Sequence, residues 1–380
     1  MKRTLLVSIA LLAASGAQPE HDPAVALVSA ELLARPRSLA LAPSRTSPVF
    51  RAREGEWQFN LHSYLAHHDG KFWAVWSSGR VDEDSPTQLI RYATSVDGHR
   101  WSESRILADD PDGPEGPGSW IARGIYVDHR GKLTALNAYR EPTRQTSQGP
   151  EVWFNLRLER FEFEGGQWLQ RGTEIEDCMS NYPPRAVAGW LFLTCRNSFM
   201  QMFTARRAIA GGGGWELRRL PGEPPHEFMS EPSWIVDPEG AVHLFFRDGR
   251  RSKFLYRSVS RDGGETWPAP VRTNYPDAGS KNFAGRLSNG WYYLINNPNP
   301  DSRDPLGISF SRDGWKFGRP LALRSGAPEQ RYPGRAKNRF SFQYPHAIEK
   351  NGSLWVIYST NKEDIEISEY RIADFRLENQ

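Results

Sequence analysis

Six glycines, Gly70, Gly131, Gly189, Gly240, Gly290 and Gly352, recur along the 380-residue chain at intervals of 50 to 62 residues. The residues at fixed distances from them are ones that do chemistry. Eight or nine positions before the glycines stand His62, Arg123, Asn181, Glu231, Lys281 and Tyr344; six or seven positions after them stand Ser77, Asn137, Arg196, Arg247, Asn296 and Tyr358. A guanidinium grips an oxyanion with a planar fork that an ammonium cannot copy. An imidazole, a carboxylate and a phenol move protons, and a phenol also serves as a nucleophile. Gathered at one place, such a set would bind an anion and transfer protons beside it. Singly, the same residues have plainer readings: Glu231 as a hairpin-end carboxylate holding turn amides, Tyr344 as a packed inner-strand aromatic, and the rest as polar strand ends.

The elements that must position them are legible from the same period. Each glycine lies in a turn such as "HHDGKFW", "PEGAVH" or "KNGSLW", followed by an apolar or alternating run such as "KFWAVWSS" or "SLWVIYST". Such runs read as strands. A unit of this length with several short strands predicts an all-β chain folded as a β-propeller. Six units fit, each a four-stranded antiparallel blade; a seven-bladed ring or a β-sandwich is the competing reading. The inner strands of a propeller run in one direction, so both counted sets are expected at one mouth of the central channel. Three further turns, "TSVDGHRW" (94–101), "SRDGGETW" (260–267) and "SFSRDGWKF" (309–317), place a Ser or Thr two residues before Asp-Gly and an aromatic just beyond. Glycine supplies the positive φ and the aspartate accepts turn amides.

Residues 1–17 read as a signal peptide: Lys2 and Arg3, an apolar run from Leu5 to Ala14, then Ser15 and Ala17. That predicts an exported protein, secreted or periplasmic. Residues 18–48 read as an N-terminal extension and 49–380 as the propeller. No apolar run is long enough to span a bilayer. The net charge of +3 does not suggest nucleic acid as a partner. Cys178 and Cys195, the two cysteines, are candidates for one disulfide. No metal or cofactor is expected, and a monomer is.

The turns resemble the Asp-box (BNR) repeats of the sialidase superfamily; "SRDGGETW" matches that pattern throughout and the other two in part. The resemblance implies roles. In "EPSWIVDPEGAVHLFFRDGR", Glu231 and Arg247 look like the family's catalytic glutamate and central triad arginine. "NNPNPDSRDPLGISFSRDGW" looks like the segment of the third arginine, here Arg303. "FSFQYPHAIEKNGSLWVIYS" looks like that of the nucleophilic tyrosine, here Tyr344. The acid/base aspartate falls in "SSGRVDEDS", at Asp82 or Asp84. The first blade departs from the pattern: Asn60 stands where the family carries an arginine and His62 where it carries proline. The arginine triad is thus incomplete in sequence, and Arg123 is the candidate replacement. Lys281, Asn296, His346 and Asn181 complete the expected substrate contacts.

These residues suit a glycoside hydrolase acting on an acidic, carboxylate-bearing glycan, with the arginines on the carboxylate and Tyr344 with Glu231 as nucleophile and base. A polysaccharide lyase would use Arg247 or Arg303 to neutralise a uronate, Tyr344 as base and His62 or His346 as acid. A glycan-binding propeller without catalysis would stack sugars on Trp120, Trp153 or Trp234.

Overall fold

The computed structural model describes residue 27 and residues 39–83, 85–109, 112–113, 116–146, 149–210, 213–221, 229–249, 252–332 and 340–377. Asp84 and the expected signal peptide lie outside them. Strands dominate, arranged as six small antiparallel sheets in a ring. The first blade is Phe59–His68, Lys71–Gly79, Leu89–Ser95 and Arg105–Ala108, and the second is Ser119–Val127, Leu133–Glu141, Phe154–Glu164 and Gln167–Glu176. In the third, an interrupted inner strand (Met179–Ser180, Arg185–Val187) precedes Trp190–Arg196, Met202–Ala208 and Glu216–Arg219. The fourth is Met229–Val236, Val242–Asp248, Phe254–Ser260 and Val271–Pro276; the fifth is Phe283–Arg286, Tyr292–Asn296, Leu306–Ser311 and Leu321–Arg324.

The sixth blade is assembled from both ends of the chain. Phe342–Lys350, Ser353–Thr360 and Asp364–Arg371 take Arg45–Phe50 as their outer strand, paired in antiparallel register from Arg45 opposite Glu369 to Phe50 opposite Ile365. The propeller therefore starts at Arg45, inside what the sequence suggested was an extension. Buried Leu27 donates its amide to Asn274 Oδ1 of the fourth blade and its carbonyl accepts the Phe317 amide of the fifth.

The three Asp-Gly turns form as expected, each between the third and fourth strands of a blade, in blades one, four and five. In the fullest, Ser260 Oγ accepts the Gly264 amide, Asp262 accepts those of Glu265 and Thr266, and the Trp267 indole donates to Gly264 O. Ser95 and Asp97 do the same for Gly98, His99 and Arg100, and Ser311 and Asp313 for Gly314, Trp315 and Lys316. Between blades the core is aromatic, with Trp73, Trp120, Trp234, Phe192 and Tyr182 in one continuous cluster. Cys178 and Cys195 are both buried and remain unbonded thiols, so the expected disulfide is absent. The two thiols are nevertheless neighbours: Ser180 lies opposite Cys195, and Cys178, two residues earlier, hydrogen-bonds with Cys195. Among the described residues, no helix is long and apolar enough to cross a membrane.

Candidate active site

Four inner strands break register at the depth singled out by the glycine period. The pairing slips between Leu61 and Tyr64, between Ala122 and Gly124, between Ser230 and Ser233, and between Gln343 and His346. Such bulges re-aim a side chain out of the pleat. Three bulged residues are held at positive φ, His62 at 54°, Glu231 at 50° and Tyr344 at 57°. A non-glycine residue in that region costs about 1–3 kcal/mol. Three such residues converging on one mouth mark where the fold tolerates strain.

At the centre, Arg247 Nη1 donates to Glu231 Oε2 at 2.6 Å and to the Tyr344 hydroxyl at 3.0 Å. The same hydroxyl donates to Glu231 Oε2 at 3.4 Å. Glu231 and Tyr344 are buried, while Arg247 is partly open to the mouth. Burial pushes the Glu231 carboxyl upward, but Arg247, then Arg196, Lys281 and Arg123, outweigh it and hold the group well below the usual carboxylate range. Burial, reinforced by Glu231, pushes the Tyr344 phenol up to about 12, so it is neutral at physiological pH.

Arg303 reaches the same centre from the loop after the fifth blade's second strand. It donates to Gln343 Oε1 and, at 3.4 Å, to Gly279 O, and Tyr344 and Arg247 are the titratable neighbours with most electrostatic influence on it. Lys281 lies deeper, donating to the Tyr64 hydroxyl at 2.8 Å and to Asn181 O at 2.6 Å, with the Tyr182 ring 4.2 Å away. Burial lowers its ammonium pKa strongly. His62 meets the edge of the Tyr344 ring, with centroids 5.1 Å apart. Ser77 Oγ accepts the Ala122 amide and sits 3.2 Å from His62 Nδ1. The other ring nitrogen, Nε2, lies 4.0 Å from Glu83 Oε1. Burial, then Arg123 and Lys281, keep this imidazole neutral.

Several expected contacts are used otherwise. The Asn60 amide donates to Trp57 O and Glu363 O and accepts from Trp76 Nε1 and Ser78 Oγ, so its side chain is committed to holding the first blade. His346 Nδ1 accepts the Leu65 amide, and its ring packs on Phe283 beneath the mouth; burial lowers its pKa to about 3. Asn296 donates to Pro276 O and Asp277 Oδ1. Asn181 donates to Thr194 Oγ1 while its carbonyl takes Lys281. Trp120, Trp153 and Trp234 are buried. Arg123 does not join Arg303: its Nη2 lies 2.6 Å from Met179 Sδ, on the side of Arg196.

Sequence reasoning missed an acidic residue near the site, Glu83. Asp82 accepts the Glu83 amide, Asp84 is outside the described residues, and between them Glu83 is poised near His62 and ion-paired with Lys362. The signal was present in "RVDEDS" but spread over three carboxylates. Lys362 sits in the turn before the sixth blade's third strand, beyond either counted depth, and had no signal. Asp277, in the polar run before Lys281, is buried with its carboxyl raised to about 7, since burial outweighs the Asn296 and backbone hydrogen bonds. Among the described residues no three His, Cys, Asp or Glu side chains group as a metal-ligand set would.

The profile of the BNR repeat-like domain matches residues 70–357. The chain belongs to the BNR repeat-like family. Solved structures agree on the fold. A sialidase superposes with a TM-score of 0.63 at 20% identity, covering 87% of this chain and 33% of that one. Trypanosoma rangeli sialidase in complex with sialic acid gives 0.63 at 15% identity, covering 90% and 61%. A protein of unknown function from Dyadobacter fermentans gives 0.64 at 13% identity, covering 86% and 98%. This BNR repeat-like chain thus spans about a third of the first sialidase's length and nearly all of the Dyadobacter protein. No curated protein sequence matches it. The fold is that of a sialidase-like propeller.

Proposed function

We propose that the protein is an exported glycoside hydrolase acting on an acidic, carboxylate-bearing glycan, with Tyr344 as nucleophile. The observation that carries this reading is one phenol oxygen shared by Arg247 at 3.0 Å and Glu231 at 3.4 Å. A neutral phenol approaches an anionic sugar without the repulsion a carboxylate nucleophile would meet, and tyrosine nucleophiles are known in sialidases. In the first step the Tyr344 oxygen bonds to the anomeric carbon and its proton passes to Glu231. The glycosidic carbon–oxygen bond breaks, and the leaving oxygen takes a proton from a carboxyl group of the acidic segment 82–84, Asp82 or Asp84. Water then attacks the anomeric carbon and gives one proton to the acidic segment that protonated the leaving oxygen, the bond to Tyr344 breaks, and the phenol oxygen takes its proton back from Glu231. Arg247 and Arg303 flank the phenol and suit a substrate carboxylate. Similarity to a sialidase that binds sialic acid supports this class of substrate.

Elimination at a uronate is the second reading, favoured by His62 on the edge of the Tyr344 ring. The Glu231 carboxylate beside the hydroxyl gives its proton a place to go during nucleophilic attack, which places hydrolysis ahead. The test is incubation with sialosides and with uronate polysaccharides, following reducing ends and ultraviolet absorbance together. Released sugar without new absorbance is expected; absorbance from an unsaturated uronate would select elimination, and silence on every substrate would overturn catalysis.

A further inference from the structure

Near Glu231 lie two arginines, Arg123 and Arg196, that support its charge but form no ion pair with it. Arg123 is 1% exposed; its Nη2 rests 2.6 Å from Met179 Sδ, and its Nε and Nη1 are buried with no hydrogen-bond partner. Arg196 directs Nη2 at the same sulfur from 3.8 Å, has a buried and unpartnered Nε, and lies 4.3 Å over the Trp153 ring. Neither forms an ion pair with a carboxylate among the described residues, and Glu231, the nearby acid, is taken by Arg247 at 2.6 Å. Two guanidiniums that share a neutral thioether repel one another, and an unpaired buried charge is among the most costly arrangements a fold carries.

The surroundings are equally unsatisfied. Both polar atoms of the Asn137 amide, Ser180 Oγ and Asn181 Oδ1 are buried without partners. The register places Asn137 opposite Ala122, beside Arg123, and Met179 opposite Arg196. Native proteins leave few buried polar atoms unpaired, and a cluster of them at one mouth is a place where a ligand supplies the missing partners. Beside the Tyr64 hydroxyl, which neighbours Arg123, the unpaired donors Arg123 Nε and Nη1, Arg196 Nε, Asn137 Nδ2 and Ser180 Oγ outnumber the unpaired acceptors Asn137 Oδ1 and Asn181 Oδ1. Two of the donor groups carry positive charge, a balance that favours an oxyanion.

We infer that Arg123 and Arg196 form a second anion subsite, so that the glycan carries another anionic group, a sulfate or a second carboxylate, besides the one facing Arg247 and Arg303. This rests on the glycan-active reading for its biological ligand, but the subsite itself is testable without turnover. Inorganic sulfate and, separately, acetate are titrated calorimetrically into the full chain at constant ionic strength, using wild type, R196M and R303M. The expected result is saturable sulfate binding, weakened about tenfold or more in R196M and nearly unchanged in R303M. Binding lost equally in R303M, or unchanged in R196M, or absent from wild type, would overturn the subsite. R123M is a second variant; because R196M alters a partly exposed residue, the test does not hang on Arg123 being replaceable. Sulfated and desulfated samples of one acidic polysaccharide then give the specificity. Wild type is expected to favour the sulfated form and R196M to lose that preference; if wild type prefers a sample with more carboxylates instead, the second anion is a carboxylate. Sulfate binding that depends on Arg196 in a protein with no hydrolytic activity would sink the catalytic reading and leave the subsite standing.

Discussion

A phenol, a carboxylate and a guanidinium that share one oxygen divide the work by charge. Arg247 keeps Glu231 ionised against its burial and orients the Tyr344 hydroxyl, whose proton has one carboxylate to go to. Tyr344→Phe is expected to lower kcat by at least about a thousandfold, and Glu231→Gln by about 10²–10⁴-fold, with the far-ultraviolet spectrum unchanged. Loss of KM alone, with kcat intact, would assign these residues to binding. Asp277 provides a pH signature. Its folded pKa of about 7 lies above the ordinary 3.8. Below pH ~4 the carboxyl is protonated in both folded and unfolded chains; between pH ~4 and ~7 only the unfolded chain releases the proton. Stability therefore falls as pH rises through that window, by at most about 4 kcal/mol, and stays low above it. Thermal melts from pH 4 to 8 should show this slope in wild type and a flatter profile in Asp277→Asn; parallel profiles would contradict it.

At the level of elements, glycines in similar turns are under different constraints. Gly98, in the first blade's Asp-Gly turn, has φ near 75°, and a Cβ there would lie 2.4 Å from Trp355 of the sixth blade. Gly70 has φ near 70° with nothing within 4 Å. Gly98→Ala must move an inter-blade tryptophan as well as bear backbone strain, so it should cost about 3 kcal/mol or more in urea unfolding, against about 1 kcal/mol for Gly70→Ala. Equal losses would mean that the turn does not brace one blade against another. The bulges carry a complementary lesson. The glycine period located them because each lies a fixed strand length from its hairpin, yet nothing in "NLHSY", "SEPSW" or "FQYPH" announces a slipped register. Bulging is decided by which partner residue each amide reaches, and that depends on the neighbouring strand.

For the whole molecule, closure is the decisive contact. Arg45–Phe50 completes the last blade; its Arg51 neighbour pairs with Asp364 at 2.7 Å and Glu366 at 2.9 Å. Removing residues 1–50 would leave the Asp364–Arg371 edge unpaired. The expected outcome is a lower unfolding midpoint and concentration-dependent aggregation, measured by scanning calorimetry and light scattering; an unchanged midpoint would show that the ring closes without that strand. Sequence by itself determined the Asp-Gly turns and the strand period, because these depend on local turn chemistry written in neighbouring residues; six blades fitted that period, and the closed ring of sheets decided six over seven. It placed Glu231, Arg247, Arg303 and Tyr344 on elements that meet. Tertiary structure alone decided that Asn60 and His346 are spent on internal hydrogen bonds, that Glu83 comes within 4.0 Å of His62, and that Arg123 turns toward Met179 beside Arg196. Those outcomes follow from which distant side chain occupies the space next to each group. Charges and hydrogen-bond donors settle on the partners that surround them in space, and proximity between blades leaves no trace in spacing along the chain.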